Sequence, residues 1–381
     1  MDEFDLPDDL KDVEVIYLQE GEEIEGMEDD DDFDVPDEIE EEEEEEADVI
    51  DLSKVSFSMH RNSVFSGELS SDGKLAITGG EDDMAYVWDT STAELLFECT
   101  GHKDSVTHVG FNYNDELVVT GDMGGLIQVW SVKEKKLIWC YEGDDLEWLV
   151  WHQLTNIVIG GTQSGDVYVF KVPSGDCKVL PSHGYPSNCG KILPDGKKLA
   201  VGYGDGSVKL WDIKTCTTIW NCSEQDMSDV TALEINDDGS FLIACPSAKV
   251  IKIVDGKCLC TIVDKVEDEI ETAVFNTQLG VVATGSLKGQ LCVWDLGRQV
   301  MRHQARVECS VTVMKFRNDG KLLIGATDGA IYICDARSGL LSETLTGHKQ
   351  GILSVCLCKD GKTILSTSDD GTAKIFNMKT D

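Results

Sequence analysis

Basic residues are scarce in this chain. Its 381 residues hold 32 Lys and Arg against 72 Asp and Glu, a formal net charge of −40. A protein that grips nucleic acid through its phosphates needs the opposite balance, so direct nucleic-acid binding is not expected. A polybasic membrane patch fails on the same ground. There is no run of 18 or more apolar residues, so neither a transmembrane helix nor membrane insertion is expected. The opening MDEFDLPDDL has no basic stretch and no apolar stretch, so a secretory signal is not expected. Catalytic signatures are also missing: no G-x-x-x-x-G-K-S/T loop, no G-x-S-x-G elbow, no H-E-x-x-H pair and no EF-hand loop. The expectation is a non-enzymatic protein without cofactor or metal. Its expected place is the cytoplasm, with the nucleus also open.

The charge is unevenly spread. Residues 1–50 carry 27 acids and one base, Lys11, and end in an acidic run from Glu38 to Glu46 broken only by Ile39. Such a segment cannot bury enough apolar surface to offset its ordering entropy, so 1–50 is expected to be a disordered acidic tail. One short island, Val13 to Leu18, is apolar enough to dock somewhere. The tail either solubilises the protein or competes for, or recruits, a basic partner. Fourteen cysteines sit almost singly in apolar runs, which suits reduced thiols used as small core residues. Cys258/Cys260 and Cys356/Cys358 are close pairs, but no second Cys or His pair lies at zinc-ligand spacing, so a structural zinc is not expected.

From residue 51 onward a repeat dominates. The segments AYVWD, IQVWS, VYVFK, VKLWD, IKIVD, LCVWD, IYICD and AKIFN align, with fourth positions Trp88, Trp130, Phe170, Trp211, Val254, Trp294, Cys334 and Phe376. These positions recur every 40 to 43 residues, the period of a WD-repeat propeller blade. His60, His102, His183 and His348 each fall 28 residues before such a position, a second and independent phase marker. Asp-Gly turns between alternating apolar runs read as tight hairpins. The expected fold is therefore all-β, an eight-bladed WD-repeat β-propeller over 51–381. The alternating stretch at 54–60 is expected to close the ring by pairing with the last blade, because closure leaves no long exposed sheet edge.

His60, Thr78, Asp82 and Trp88 have the residue types of a buried hydrogen-bonded tetrad within one blade. The set recurs in part as His183, Asp205 and Trp211, and as His348 and Asp370, which argues for structure and against a catalytic triad. Blade 2 keeps His102 and Trp130 but has Gly124 where the Asp is expected. Trp294 marks blade 6.

Function is then expected on the loops at one end of the ring. Two loop positions per blade give sixteen sites, of which Glu81, Asp104, Asp144, Asp268 and Asp369 are acidic and none is basic. Neighbours add Asp83, Asp122, Asp145, Glu147 and Asp226. A rim of one sign steers cationic partners, so these residues are candidates for binding a basic protein. Trp148, beside the acidic loop 144–147, either packs between blades or anchors a partner.

The WD-repeat resemblance covers about residues 54–381. The strings GGEDDMAYVWD (79–89), ELLFECTGHKDSVT (94–107), TGDMGGLIQVW (120–130), DLEW (145–148), PSGDCK (173–178) and DARSG (335–339), with the acidic N-terminal run, make the chain similar to the angio-associated migratory cell protein family. That resemblance implies a dedicated chaperone role. Fungal relatives hold the basic N-terminal segment of a newly made large-subunit ribosomal protein on an acidic propeller face, acting in ribosome biogenesis. The expected partner is such a client, bound by a monomer. The family's name also links it to cell migration, so a cytoplasmic signalling scaffold stays open. A ubiquitin-ligase substrate receptor is disfavoured, because Cys334-Asp335-Ala336-Arg337 lacks the Trp of a W-D-x-R box. Blade 5 departs furthest from the repeat pattern.

Overall fold

The computed structural model describes residues 50–223, 228–262 and 268–378. The acidic segment 1–49, with its island at 13–18, lies outside them. The described residues form eight four-stranded antiparallel sheets. In each of blades 1 to 7 the strands run from innermost to outermost in chain order. Blade 1, for example, consists of Val64–Leu69, Leu75–Gly80, Ala85–Asp89 and Leu95–Cys99.

Blade 8 takes its inner three strands, Ile352–Leu357, Thr363–Ser368 and Ala373–Asn377, from the C-terminal repeat. Its outer strand is Val55–Phe57, paired antiparallel with register Val55 to Ile375 and Phe57 to Ala373. Further contacts fasten this strand. Lys374 Nζ reaches Asp51 Oδ2 at 2.6 Å, and the Phe57 ring stacks on Trp88 of blade 1 with centroids 4.7 Å apart.

The apolar residues sort into eight clusters, each straddling two adjacent blades. Trp88 and Tyr86 of blade 1 pack with Leu365 and Ile375 of blade 8, and Leu323 and Ile333 of blade 7 pack with Ile352 and Phe376 of blade 8. A blade is apolar on both faces, so it is stable only between two neighbours. The ring closes because the blade 8 to blade 1 interface is built like the other seven.

Two sequence expectations need correction here. Val254 is 85% exposed, and the residue paired in the Trp position of blade 5 is Ile251, opposite Leu242, as Trp88 stands opposite Ala76. The hairpin between Phe241–Cys245 and Lys249–Lys252 is shorter than its counterparts, so the apolar run VIKIV enters the sheet three residues earlier. The cysteines do not all serve the core either. None forms a disulfide, and Cys99, Cys245, Cys334 and Cys358 are buried, but Cys140 and Cys177 are exposed on outer strands.

Candidate functional site

Because the strands alternate in direction, each blade sends two kinds of loop to the same end of the ring. One enters the innermost strand; the other joins the second strand to the third. A backbone hydrogen bond ties the two loops in seven of the eight blades. Glu81 N donates to Ser63 O at 2.9 Å, Met123 N to Ser105 O at 3.0 Å, Gln163 N to Asp145 O at 3.0 Å and Asp369 N to Gly351 O at 3.0 Å. Gly204, Leu287 and Thr327 donate in the same way in blades 4, 6 and 7. Adjacent blades are joined at this rim as well. Gly125, at φ +88°, lies so close to the loop of the next blade that a Cβ there would stand 2.2 Å from Asp144 O. Only glycine fits that approach and that φ.

The histidines brace these loops from beneath. His60 bonds Asp82 Oδ1 through Nδ1 at 2.9 Å and Thr78 Oγ1 through Nε2 at 3.0 Å. His348 does the same with Asp370 at 3.1 Å and Ser366 at 2.8 Å. An ionised carboxylate only accepts, so Nδ1 carries the proton. The remaining carboxylate capacity holds backbone: Arg61 N donates to Asp82 Oδ2 at 3.1 Å and Lys349 N to Asp370 Oδ2 at 2.9 Å. Burial pushes both carboxyls up, but the histidine and amide hydrogen bonds outweigh it and leave them below the usual range. In blade 4 the ring is turned, and His183 Nε2 meets Asp205 at 2.9 Å and Ser207 at 2.9 Å.

The tryptophans are not members of this network as expected. Trp88 Nε1 is buried without a hydrogen-bond partner. Trp130 donates to Gln128 at 3.1 Å and Trp211 to the Tyr203 hydroxyl at 3.3 Å, while Trp294 reaches Thr284 at 3.3 Å in a blade with no His in the bracing register. The bracing unit is therefore His–Asp–Thr/Ser, and Trp88 contributes by stacking on Phe57.

Blade 2 corrects the rim assignment of Asp122. This residue is 1% exposed and bonds His102 Nδ1 at 2.9 Å, with Thr120 on Nε2 at 2.7 Å. It also accepts Lys103 N at 3.3 Å and Leu126 N at 2.9 Å. Asp122 ends the second strand, two residues before Gly124. Blade 1 explains the substitution: a Cβ at the equivalent Gly80 would stand 2.7 Å from His60 Nδ1, so a side chain from that position points straight at the histidine. Trp148 also leaves the rim. It is 5% exposed, packed between blades 3 and 4 against Gly161 and Gly190.

The other candidates remain at the rim. Glu81, Asp104, Asp144, Asp145 and Asp369 are exposed; Asp83, Glu147 and Asp268 are half-buried. Burial and then Asp145 raise the Glu147 carboxyl. Asp268 Oδ2 is buried and has no partner among the described residues. Asp226 lies outside the described residues. Two features were missed in the sequence. Met123, Tyr185 and Leu287, three of the sixteen loop positions, are 50%, 51% and 42% exposed, so the rim carries apolar contact points between its acids. The rim also holds bases beside some of these positions: Arg61, Lys103, Lys288 and Lys349 are exposed there, and Lys103 pairs with Glu142 at 2.9 Å.

Inside the ring, the innermost strands of blades 1, 2, 7 and 8 bound a cavity of about 590 Å³ lined by Glu68, Lys315 and Cys356. Glu68 accepts Phe111 N at 2.8 Å, and burial pushes its carboxyl up to about 7. Burial takes His108, on the innermost strand of blade 2, down to about 4. Among the described residues no group of three or more His, Cys, Asp or Glu is placed to hold a metal.

Eight four-stranded blades on a 40-residue repeat, braced by histidine and presenting anchored loops at one end, define a WD-repeat β-propeller, a binding fold. The WD domain, G-beta repeat family matches residues 52–89, 93–131, 176–212 and 339–377. The human angio-associated migratory cell protein is 36% identical over 348 residues, covering 86% of this chain and 80% of that protein. The chain belongs to the angio-associated migratory cell protein family. A more distant relative, the ribosome assembly protein SQT1 of Saccharomyces cerevisiae, is 24% identical over 86% of this chain and 88% of its own length. The crystal structure of Chaetomium thermophilum Sqt1 bound to the N-terminus of the ribosomal protein L10 superposes with a TM-score of 0.79 at 22% identity, covering 86% of this chain and all of that one. It shares the fold.

Proposed function

We propose that this protein is a non-enzymatic chaperone that holds the basic N-terminal segment of a newly made large-subunit ribosomal protein on its acidic rim. The observation that carries the proposal is the exposed set Glu81, Asp104, Asp144, Asp145 and Asp369 on backbone-anchored loops, interspersed with exposed Met123, Tyr185 and Leu287. Fixed carboxylates attract Arg and Lys without paying for loop ordering on contact, and apolar points between them supply the desolvated area that charge alone lacks. Of the four exposed bases on the rim, Lys103 is paired with Glu142, and the remaining three are outnumbered by the five exposed acids. Support also comes from the relatives, one named for ribosome assembly and one crystallised with a ribosomal protein N-terminus. The client binds a monomer, and nucleic acid takes no direct part.

The test is a titration of the full chain with a labelled Lys- and Arg-rich peptide taken from the N-terminus of the large-subunit protein L10. Saturable binding that weakens with salt is expected. Changing Glu81, Asp104, Asp144 and Asp369 together to Lys should weaken it at least a hundredfold. Equal binding by the variant would refute the assignment of the rim.

A further inference from the structure

The end of the ring opposite the acidic rim carries different chemistry. Between blades 3 and 4, the turns after Val167–Lys171 and Val208–Asp212 enclose a groove of about 530 Å³. Ile157, Val169 and Ile213 contribute apolar lining. Lys171, Lys178, Lys197 and Lys214 stand around it, all exposed.

Two carboxylates also line the groove, and both are committed to their own turns. Asp176 accepts the Ser174 hydroxyl at 2.9 Å. Asp212 accepts the Thr215 amide at 2.8 Å, and that bond, with the Thr215 hydroxyl, holds its carboxyl below the usual range. The lysines are less tied: Lys214 acts on Asp212 through space and helps lower its carboxyl. Lys178 Nζ donates to the Lys214 carbonyl at 2.6 Å, bridging the two blades, and none of the four pairs with a carboxylate among the described residues. On a chain of net charge −40, a groove with four exposed lysines against two carboxylates around an apolar recess stands apart from its surroundings.

We propose that this groove docks an acidic peptide segment of a partner protein, one apolar or aromatic side chain seated in the recess with carboxylates on both sides of it. The volume suits one large side chain with its flanking backbone. Lysines are point charges on flexible stems, so they accept carboxylates at varied spacing, where arginine forks would demand fixed geometry. At physiological salt, charges beyond about 8 Å are screened. The acidic rim at the other end therefore does not forbid an acidic ligand here. The two ends then carry partners of opposite charge, and both can be occupied at once.

The probe is a fluorescein-labelled nonapeptide with one Phe flanked by four Asp or Glu on each side, titrated with the full chain at 0.15 M salt as an order-of-magnitude physiological strength. Saturable binding in the range of about 1–100 µM is expected. The combined variant Lys171→Glu, Lys197→Glu, Lys214→Glu should lose at least tenfold in affinity, and replacing the peptide's Phe by Ser should lose at least fivefold. The variant's melting temperature and its binding of the basic rim peptide should be unchanged, which separates this site from the rim. No saturation by about 200 µM, equal affinity of the triple variant, or equal affinity of the Phe and Ser peptides would each overturn the proposal.

Discussion

Asp122 offers the sharpest check on how the rim is built. Changing Asp122 to Ala removes the acceptor for three N–H groups: His102 Nδ1, Lys103 N and Leu126 N. Leaving buried donors without partners costs about 1–3 kcal/mol each, less where a loop can relax toward water, so a total of about 3–5 kcal/mol is expected. For the roughly 320 described residues the unfolding entropy is about 0.7 kcal/mol/K. The melting temperature should then fall by about 4–7 °C. Asp122→Asn keeps one acceptor and should fall between this and wild type. Glu81→Ala, which removes an exposed acid with no side-chain partner among the described residues, should stay within about 0.5 kcal/mol. The assay is thermal unfolding of the full chain followed by near-ultraviolet circular dichroism. If Asp122→Ala melts with wild type, or if Glu81→Ala is as damaging, the bracing role is wrong and Asp122 belongs to the rim.

Other consequences follow from packing and burial. Trp148→Ala should cost about 3–5 kcal/mol and leave the affinity for a basic peptide unchanged at temperatures where the variant is folded; a specific loss of affinity would return Trp148 to the rim. Phe57→Ala should destabilise by a similar amount, because it removes the ring stacked on Trp88 at the closing interface, and an unchanged urea midpoint would contradict closure through this strand. Glu68, raised to about 7, contributes stability that is complete below its unfolded value near 4.5 and is lost as pH rises through 7. Glu68→Gln abolishes that loss, so its stability relative to wild type should rise by about 2 kcal/mol between pH 5 and pH 8, and parallel urea midpoints across that range would refute the burial of an ionisable group there.

The repeat was legible because two markers with different physical causes share one period. The apolar strand ends report sheet packing, and the histidines at a constant 28-residue offset report loop bracing. Where one marker fails the other cannot repair the phase. Blade 5 has no histidine and a shortened hairpin, and its run VIKIV places apolar residues in two phases, so Val254 was mistaken for Ile251. Asp122 was hidden because the carboxylate reaches His102 from the end of a strand instead of from the turn, a swap visible only once Gly80 is seen against His60. The tetrad was over-read at Trp88, since a spacing that permits a hydrogen bond does not orient the indole. The exposed acids of the rim were legible from loop position alone. The exposure of Met123, Tyr185 and Leu287 was not, because an apolar residue in a loop reads equally well as buried.

The account rests on the rim recognising one basic client. The direct measurement is a pull-down from cytosol with the full chain, run beside the variant carrying Lys at Glu81, Asp104, Asp144 and Asp369 and analysed by mass spectrometry. A single basic ribosomal protein that dominates the wild-type sample and disappears with the variant is the predicted result. Acidic or neutral partners that dominate both samples would contradict it and favour a scaffold working through other surfaces.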